Sequence, residues 1–470
     1  MNPRLPRRQA ERRGLRLWPV GIVLVLAITV AVLVAAAVFY AGWDLLGAHK
    51  LKPEPSVDSK TLFDLVKLAF GVVAGAGALV ALVVAYRRQR VDEDGALRDA
   101  TRLHTERFTT AVSQLGNESA AVRLGGVHAL AGLADDAPTR ELRQTCIDVL
   151  CAYLRLPYTA EADLPANDAE ARHTYLALRE VRHTVIRLIR DHLRLPLEHH
   201  HSWQGHDFDF TGVMFDGGDL SKAVFSAGAV SFNGAVFSAG VVSFSRAVFS
   251  GGAVGFEGAV FSGGVVYFGE AVFSGGRVYF SRAVFSGGRV YFSRATFSGG
   301  SVHFSRATFS GSAVGFGEAV FSGGTVGFGE AVFSGGTVDF SRAVFSGGAA
   351  DFLAATFSNG RVGFRAATFS GGAADFSEAV FSGGTVTFSR ATFSGGTVGF
   401  AAATFSGGTV DFSEAVFSGG AAIFTEATFS GGTVDFSEAT GTAPRALIPA
   451  ARAPLPDGLI LAAAWQPTGP

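Results

Sequence analysis

The chain has 470 residues, enough for two or three domains, and a formal net charge of −1 at pH 7. This balance argues against a protein that coats nucleic acid and against a polyacidic protein. Its 61 glycines and 43 phenylalanines are unusual for a mixed globular fold, and a repeat region accounts for them. Cys146 and Cys151 stand five apart in an apolar helical context, which indicates buried side chains rather than a metal site or a redox pair.

Two long apolar segments lie near the N-terminus. Residues 17–43 contain no charged side chain, and as a helix they are long enough to cross a hydrocarbon layer of about 30 Å. Residues 68–86 form a second run of spanning length, and residues 44–67 connect the two as a short extracytoplasmic loop. The sequence therefore predicts two transmembrane α-helices that form a hairpin in the bilayer.

Arginines flank this hairpin on its two outer sides. The basic N-terminus, residues 1–16, contains six arginines, and three more follow the second span directly, whereas the loop mixes both signs. The positive-inside rule therefore predicts that both termini are cytoplasmic. Gly71 and Gly75 have the G-x-x-x-G spacing that lets helices pair in lipid, which raises the prospect of a homodimer; the alternative is that glycine is simply common in spans.

Helical spacing of apolar residues returns in the next segment, residues 87–195, and predicts a small all-α bundle. Thr139 is expected to cap one of its helices, and Asn167 with Glu170 resembles a capping box that opens the last one. Residues 196–206 are predicted to be a polar linker. Its histidines are His199, His200, His201 and His206. No second carboxylate or cysteine cluster accompanies them at ligand spacing, so no metal site is predicted.

The region from residue 207 to 440 is built from one motif. At its start, Phe210, Phe215, Leu220 and Phe225 lie five residues apart. Two residues before them stand Phe208, Val213, Gly218 and Ala223, which after the first are smaller side chains. This pattern resembles the pentapeptide-repeat family, and the resemblance covers roughly the second half of the chain. It implies a right-handed quadrilateral β-helix, a β-solenoid in which four pentapeptide sides make one coil.

From residue 223 to 438, eighteen consecutive units follow the twelve-residue pattern AxFSGGxVxFSx with few departures. Spacings of five and seven alternate between the phenylalanines, which differs from strict pentapeptides. Because side chains alternate along a strand, Ala and Phe of the first half and Val and Phe of the second half should point inward. The two additional residues fall at the Gly-Gly link, where unusual backbone angles are available. The predicted structural core includes Phe225, Phe232, Phe237, Phe244, Phe280 and Phe292.

One coil of the solenoid could contain either two twelve-residue units or one. Two units would make a four-sided coil of about 24 residues and a rod of about 43 Å, whereas one unit would make a narrow coil of about twelve and a rod of about 86 Å. A twelve-residue coil leaves little room for two phenylalanines, an alanine and a valine in each layer, which favours the four-sided coil. The proline-rich tail, residues 441–470, should end the strand pairing, and residues 459–465 are expected to cap the last coil.

The outward positions vary more than the inward ones. Basic and aromatic side chains concentrate in the first half of the array and acids in the second half, with 13 acids against 10 arginines in the eighteen units from residue 223 to 438. Interleaved Arg and Tyr can bind an acidic protein, phosphate or nucleic acid, and the alternative is drift among equally soluble residues. The candidate interaction surface is Tyr267, Arg277, Tyr279, Arg282, Arg289, Tyr291, Arg294, His303 and Arg306.

No nucleophile elbow, P-loop, HExxH or CxxC motif occurs, so neither catalysis nor a cofactor nor a metal is predicted. The sequence favours a non-enzymatic scaffold, a multi-pass protein of the bacterial plasma membrane with most of its chain in the cytoplasm. Its β-helix would bind a cytoplasmic protein, and nucleic acid is not the expected partner. The alternative is a DNA mimic or a topoisomerase- or DNA-directed regulator, which the family resemblance suggests but which would need a more acidic rod.

Overall fold

A computed structural model describes residues 20–45, 58–161, 164–274, 276–298, 300–448 and 454–466. The chain divides into two units, Met1–Arg102 and Leu103–Pro470. Helices come first in the chain and strands follow. The helices are α1 (Val20–Leu45), α2 (Ser59–Leu115), α3 (Ala120–Asp135), α4 (Arg140–Arg155) and α5 (Ala169–Leu193).

The two N-terminal helices contain the apolar segments. Helix α1 covers the first predicted span from residue 20 onward, while residues 1–19 and 46–57, with the basic N-terminus and half of the predicted loop, lie outside the described residues. Residues 59–67, predicted as part of the loop, are the first residues of α2. Helix α2 contains the second predicted span but does not end after it, because 57 residues up to Leu115 form one helix. Among the described residues, α2 is the one helix that by length and composition qualifies to cross a membrane.

Helices α3, α4 and α5 pack with the end of α2. Thr139 caps α4, since its hydroxyl accepts a hydrogen bond from the backbone N–H of Leu142 at 3.3 Å. The predicted capping box of α5 is wrong by one residue. The N-cap is Asp168, whose carboxylate accepts from the N–H of Ala171 at 2.9 Å, and Asn167 instead adopts a left-handed backbone with φ of 68°.

The repeats form a solenoid with four faces, which follow one another along the chain in the order 1, 2, 3, 4. Face 1 contains Phe208–Asp209, Val230–Ser231, Ala253–Gly255, Arg277–Tyr279, Ser301–His303, Thr325–Gly327, Gly348–Asp351, Gly372–Asp375, Thr397–Gly399 and Ala421–Ile423. Face 2 contains Met214–Phe215, Val236–Phe237, Val260–Phe261, Val284–Phe285, Thr308–Phe309, Val332–Phe333 and Thr356–Phe357. Face 3 contains Gly218–Asp219, Val241–Ser243, Val265–Tyr267, Arg289–Tyr291, Ala313–Gly315, Thr337–Asp339, Arg361–Gly363 and, at its end, Leu459–Ile460.

Toward the C-terminus, faces 2 and 3 join within single strands, so that both belong to one 18-stranded sheet. The joined strands are Val380–Thr387, Thr404–Asp411 and Thr428–Asp435. Face 4 contains Val224–Ser226, Val248–Ser250, Val272–Ser274, Thr296–Ser298, Val320–Phe321, Val344–Phe345, Thr368–Phe369, Thr392–Phe393, Val416–Phe417 and Thr440–Gly441.

The register of the strands settles the size of a coil. Val260 pairs in parallel with Val284, and Phe261 with Phe285, so each residue lies beside its equivalent two units later. One coil therefore takes two units, as the packing argument favoured, and the twelve-residue coil is excluded. Ten levels at about 4.8 Å give a solenoid about 48 Å long.

Phenylalanine rings fill the interior in four continuous columns. Within a column the rings are almost parallel, as between Phe256 and Phe280, whose centroids are 4.5 Å apart at 6°. Columns of opposite faces meet edge to face, as between Phe280 and Phe292, at 5.6 Å and 88°. Both arrangements suit the ring quadrupole. The six predicted core phenylalanines have exposures of 0–4%, so the centre of the array is shielded from solvent.

Each coil has two kinds of corner. The tight corner is a four-residue turn, exemplified by the hydrogen bond from the Ala283 N–H to the Phe280 carbonyl at 3.1 Å, with Arg282 left-handed at φ 59° as in a type II turn. The wide corner holds the Gly-Gly link. A Cβ added at Gly300 would lie 2.0 Å from the carbonyl oxygen of Gly276 in the coil below, so coils can stack there only without side chains.

The C-terminal tail covers the last coil. Leu459–Ile460 adds a parallel strand to face 3, with Leu459 opposite Val434. Trp465 is buried, packs against Phe417 and Phe436, and donates from its indole N–H to the carbonyl of Gly441 at 3.0 Å. The end of the phenylalanine columns is thereby shielded from water.

The wide corner gives a direct test of the stacking. Gly300→Ala should destabilise the solenoid, because its methyl group would overlap a backbone carbonyl that cannot move without separating two coils. Gly269→Ala is the matched control, since the atom nearest to its added Cβ is 3.8 Å away. Thermal unfolding followed by the β circular dichroism signal should show a lower midpoint for Gly300→Ala alone. Equal midpoints for the two variants would contradict the close approach.

Candidate functional site

The outward side chains of faces 2 and 4 differ from those of faces 1 and 3. On faces 2 and 4 the outward residue beside each inward Phe is almost always Val or Thr, as in the pair Val260 and Val284, so these faces are uniform. On faces 1 and 3 the outward residues vary and include arginine, tyrosine, histidine and aspartate. Any specific recognition by the solenoid is therefore expected on faces 1 and 3.

The nine residues of the predicted interaction surface do not form one surface. Arg277, Tyr279 and His303 lie on face 1, and Tyr267, Arg289 and Tyr291 lie on face 3. Arg282 and Arg306 lie at the tight corner between faces 1 and 2, and Arg294 lies at the corner between faces 3 and 4. Because faces 1 and 3 are opposite sides of the solenoid, the structure separates the nine residues into two groups and three corner positions.

Aromatic rings stack on each of the two variable faces. On face 1 the rings of Tyr279 and His303 are 5.6 Å apart at 16°, and on face 3 those of Tyr267 and Tyr291 are 5.5 Å apart at 17°. Arg277 and Arg289 are exposed beside these pairs and form no ion pair among the described residues. Burial, assisted by the charge of Arg277, lowers the pKa of His303 and thereby favours the neutral form of its ring.

Charged side chains at the tight corners pair with one another along the solenoid. Arg246 contacts Glu270 and Arg306 contacts Glu330, each at 2.9 Å and each between equivalent corners of successive coils. The same contact joins Arg294 to Glu318 and Arg390 to Glu414. These exposed pairs contribute little to stability, but they neutralise the corners. Arg282 also contacts Glu257, at 3.5 Å. Three of the predicted surface arginines, Arg282, Arg294 and Arg306, therefore already have carboxylate partners.

The aspartates of the acidic half also have a local structural role. Asp339, Asp375 and Asp435 each accept a hydrogen bond from the backbone N–H two residues later, at 2.9, 2.9 and 2.7 Å. Such Asx turns stabilise the start of the tight corner. The acidity of this half therefore follows in part from turn formation, and no partner is needed to explain it.

The repeat pattern agrees with a known family. The family model described as "Pentapeptide repeats (9 copies)" matches residues 244–296, inside a solenoid of about ten turns. The solenoid is built of pentapeptide repeats. No curated protein and no solved structure matches it significantly. Pentapeptide-repeat solenoids are generally non-enzymatic, and among the described residues no group of three or more His, Cys, Asp and Glu side chains is arranged to hold a metal.

The first coil of the pentapeptide-repeat solenoid is fused to the helices through a buried carboxylate. Asp216 is 3% exposed and accepts hydrogen bonds from the hydroxyls of Tyr158 and Tyr175 at 2.6 and 2.7 Å. The imidazole of His183 lies 3.3 Å away, and the guanidinium of Arg179 3.6 Å. Burial alone would raise the pKa of Asp216, but the hydrogen bonds from His183 and both tyrosines outweigh it and hold the pKa far below its ordinary value.

Arginines complete this junction. The buried guanidinium of Arg182 donates to the carbonyls of Leu154 and Met214, both at 2.7 Å, and lies over the ring of Tyr158 at 4.2 Å. Arg190 contacts Asp219 at 2.5 Å. The helices thus act as the N-terminal cap of the solenoid. Sequence reasoning missed this cap, although the aspartates of the first coil were a signal, because their partners lie 29–58 residues away.

Residues 196–206, predicted as a linker, are a packed part of the cap. Trp203 is fully buried, stacks on His192 at 4.1 Å, and donates to the carboxylate of Asp135 at 3.0 Å. His192 contacts the same carboxylate at 3.0 Å. The polarity of the segment suggested exposure, whereas its single tryptophan anchors it.

The predicted pairing glycines of α2 are accessible in this structure. Gly71 and Gly75 are exposed, and a Cβ added at either would meet no atom within 4 Å. This face has room for a close helix–helix contact, and pairing through it stays a prediction.

Asp216 should be the most important polar residue of the cap. Asp216→Ala removes the partner of four buried or half-buried groups and is expected to lower the stability of the cap by about 3–5 kcal/mol. Asp219→Ala is the control, because its side chain is 45% exposed and its pair with Arg190 should contribute about 1 kcal/mol or less. Urea unfolding of the purified chain, followed by the helical circular dichroism signal, compares them. Equal losses would contradict the central role of Asp216.

A buried histidine makes the cap sensitive to acid. Burial, together with the charges of Arg140 and Arg143, lowers the pKa of His206 from 6.5 to about 4, and Asp207 opposes this only weakly. Between pH 6.5 and about 4, the unfolded state therefore binds a proton at His206 that the folded state does not. The contribution of His206 to the free energy of unfolding is fully present above pH 6.5 and decreases as the pH falls toward 4.

His206→Gln should flatten this pH dependence of the thermal midpoint between pH 4 and 6.5. Part of the slope should remain, because burial also lowers the pKa of His104 and His303. The exposed His128 provides the control variant, His128→Gln. An unchanged slope in His206→Gln would show that this histidine is accessible to protons in the folded protein.

Proposed function

We propose that the protein is a membrane-anchored, non-enzymatic scaffold that presents a rigid pentapeptide-repeat solenoid to a protein partner in the bacterial cytoplasm. The membrane anchor, the cytoplasmic location and the binding of a protein partner are proposals that the repeat family and the fold do not by themselves imply. The single observation that carries the proposal is α2, a helix of spanning length with an apolar, exposed surface, in one chain with a solenoid that carries no catalytic motif.

The exposed surface of the N-terminal helices supports the membrane anchor. On α2, Phe70, Val73 and Leu82 are 67–70% exposed, and on α1 both Leu33 and Phe39 are 63% exposed. Apolar side chains this exposed over stretches of spanning length would be unfavourable in water, and a bilayer would cover them. The arginines that follow the second apolar run favour a cytoplasmic solenoid.

The solenoid supports the scaffold role by its rigidity and by its uneven surface. The stacked rings fix every outward residue relative to its equivalents in the coils above and below. A partner would meet a preorganised surface and would lose little entropy in ordering it. The alternative role as a DNA mimic is less well supported, because corner arginines pair with glutamates and, in the described part of the solenoid, interrupt any continuous acidic row.

The anchor is tested by extraction and topology. The full chain with a C-terminal epitope tag should remain in the membrane pellet after an alkaline carbonate wash, and a variant that lacks residues 1–86 should be released. A protease should remove the tag from inside-out vesicles but not from intact spheroplasts, since the tag is expected in the cytoplasm. Release of the full chain by carbonate would refute the anchor, and cleavage in spheroplasts would refute the orientation.

A further inference from the structure

Two neighbouring units of the array, residues 271–282 and 283–294, have the identical sequence AVFSGGRVYFSR. One coil takes two units, so a single unit advances the chain by half a coil. Two identical neighbouring units therefore place the same side chains on opposite sides of the solenoid. The strand Arg277–Tyr279 lies on face 1 and its copy Arg289–Tyr291 lies on face 3.

Both copies of this strand are part of a similar patch. Patch 1 consists of Arg277, Tyr279 and His303 on face 1, and patch 2 consists of Arg289, Tyr291 and Tyr267 on face 3. Each patch has one exposed arginine beside two stacked rings. The patches differ in the second ring, which comes from the coil above in patch 1 and from the coil below in patch 2.

A small residue ends each ring pair. A Cβ added at Gly327 would lie 3.4 Å from the His303 ring, and one added at Gly315 would lie 3.3 Å from the Tyr291 ring. The rings thus extend over glycines of the next coil, which contribute no side chain of their own at these positions. The rings of Tyr279, Tyr291 and His303 are half-buried and that of Tyr267 is 38% exposed, so a partner side chain can reach their outward edges.

We propose that patches 1 and 2 are two sites for one kind of partner segment, an extended acidic peptide with aromatic side chains, so that one solenoid binds two equivalents. This rests on the proposed scaffold function and specifies its partner. A guanidinium binds a carboxylate through paired hydrogen bonds, and a flat ring pair provides a surface for an aromatic side chain. Residues that alternate along an extended peptide present an acid and a ring on one side when they are two positions apart.

The charges favour an acidic peptide over a nucleic acid. A phosphate backbone is bound by rows of cations that neutralise several phosphates. Each patch offers only one arginine that forms no ion pair among the described residues, because the corner arginines on both sides contact Glu257, Glu318 or Glu330. One cation beside two rings matches one carboxylate beside one aromatic side chain.

The positions of the two patches on opposite faces determine how many partner molecules one solenoid can bind. The patches lie on different sides of the solenoid, so a short peptide cannot occupy both. Two occupied sites therefore mean two partner molecules, held on either side of one rigid body. The duplication of a twelve-residue unit thus turns one recognition surface into a device that brings two copies of a partner together.

Isothermal titration of the full-length chain in detergent with the peptide Glu-Ser-Tyr-Ser-Glu, whose two acids and one ring lie on the same side when it is extended, tests the proposal. We expect two peptides to bind each chain. Arg277→Ala and Arg289→Ala should each leave one site, and the double variant should weaken binding by about tenfold or more. Arg361→Ala is the matched control, because this arginine is exposed at the equivalent position of face 3 but has Gly363 where Arg289 has Tyr291.

Several results would overturn the proposal. They are no binding of the peptide, a single site in the unmodified chain, unchanged stoichiometry in the single variants, or an equal loss in Arg361→Ala. Preferential binding of single-stranded oligothymidylate over the peptide would assign the patches to nucleic acid instead. Circular dichroism spectra that match the unmodified chain establish that each variant folds. Carbonate extraction is independent of these arginines, so failure of the patches and failure of the membrane anchor are distinguishable.

Discussion

The stacking of phenylalanine rings in register, one above another in successive coils, is the interaction on which the solenoid depends. Each ring lies within about 5 Å of its equivalents above and below, and columns of opposite faces meet edge to face. A chain so rich in glycine has a large conformational entropy to lose on folding. Burial of aromatic surface at every level offsets this loss, because each full coil adds the same apolar surface and the same ring contacts.

The near-identity of the repeat units also constrains which side chains the solenoid presents on each of its sides. Because two units complete one coil, the solenoid has an approximate two-fold screw symmetry, and odd-numbered and even-numbered units occupy opposite sides. The symmetry is not complete, since faces 2 and 3 merge into one sheet while faces 4 and 1 do not. A change at outward positions of one unit can therefore create a binding surface on one face, and the same change in two neighbouring units creates matching surfaces on two opposite faces. Neither change affects the core. This explains how a monotonous sequence can carry specific recognition.

Alternation of side chains predicted the inward and outward positions of the array, and the volume of two phenylalanines per unit predicted the four-sided coil. Both arguments use contacts within one or two units. The separation of Arg277 from Arg289 could not be predicted in the same way, because it depends on which unit faces which side, and hence on the coil size. The corner pair of Arg246 with Glu270 likewise becomes visible only when the register between coils is known. The cap around Asp216 joins segments far apart in sequence, and no local pattern encodes it.

Hydrogen exchange of backbone amides in the full-length chain tests the continuity of the phenylalanine columns most directly. If the columns are continuous, ladder amides from successive coils, such as those of Val266, Val290 and Val314, should exchange slowly and with similar protection, because no coil can open without exposing the rings of its neighbours. Exchange of these amides at the rate of an unfolded chain, with protection confined to the helices, would contradict the rigid solenoid.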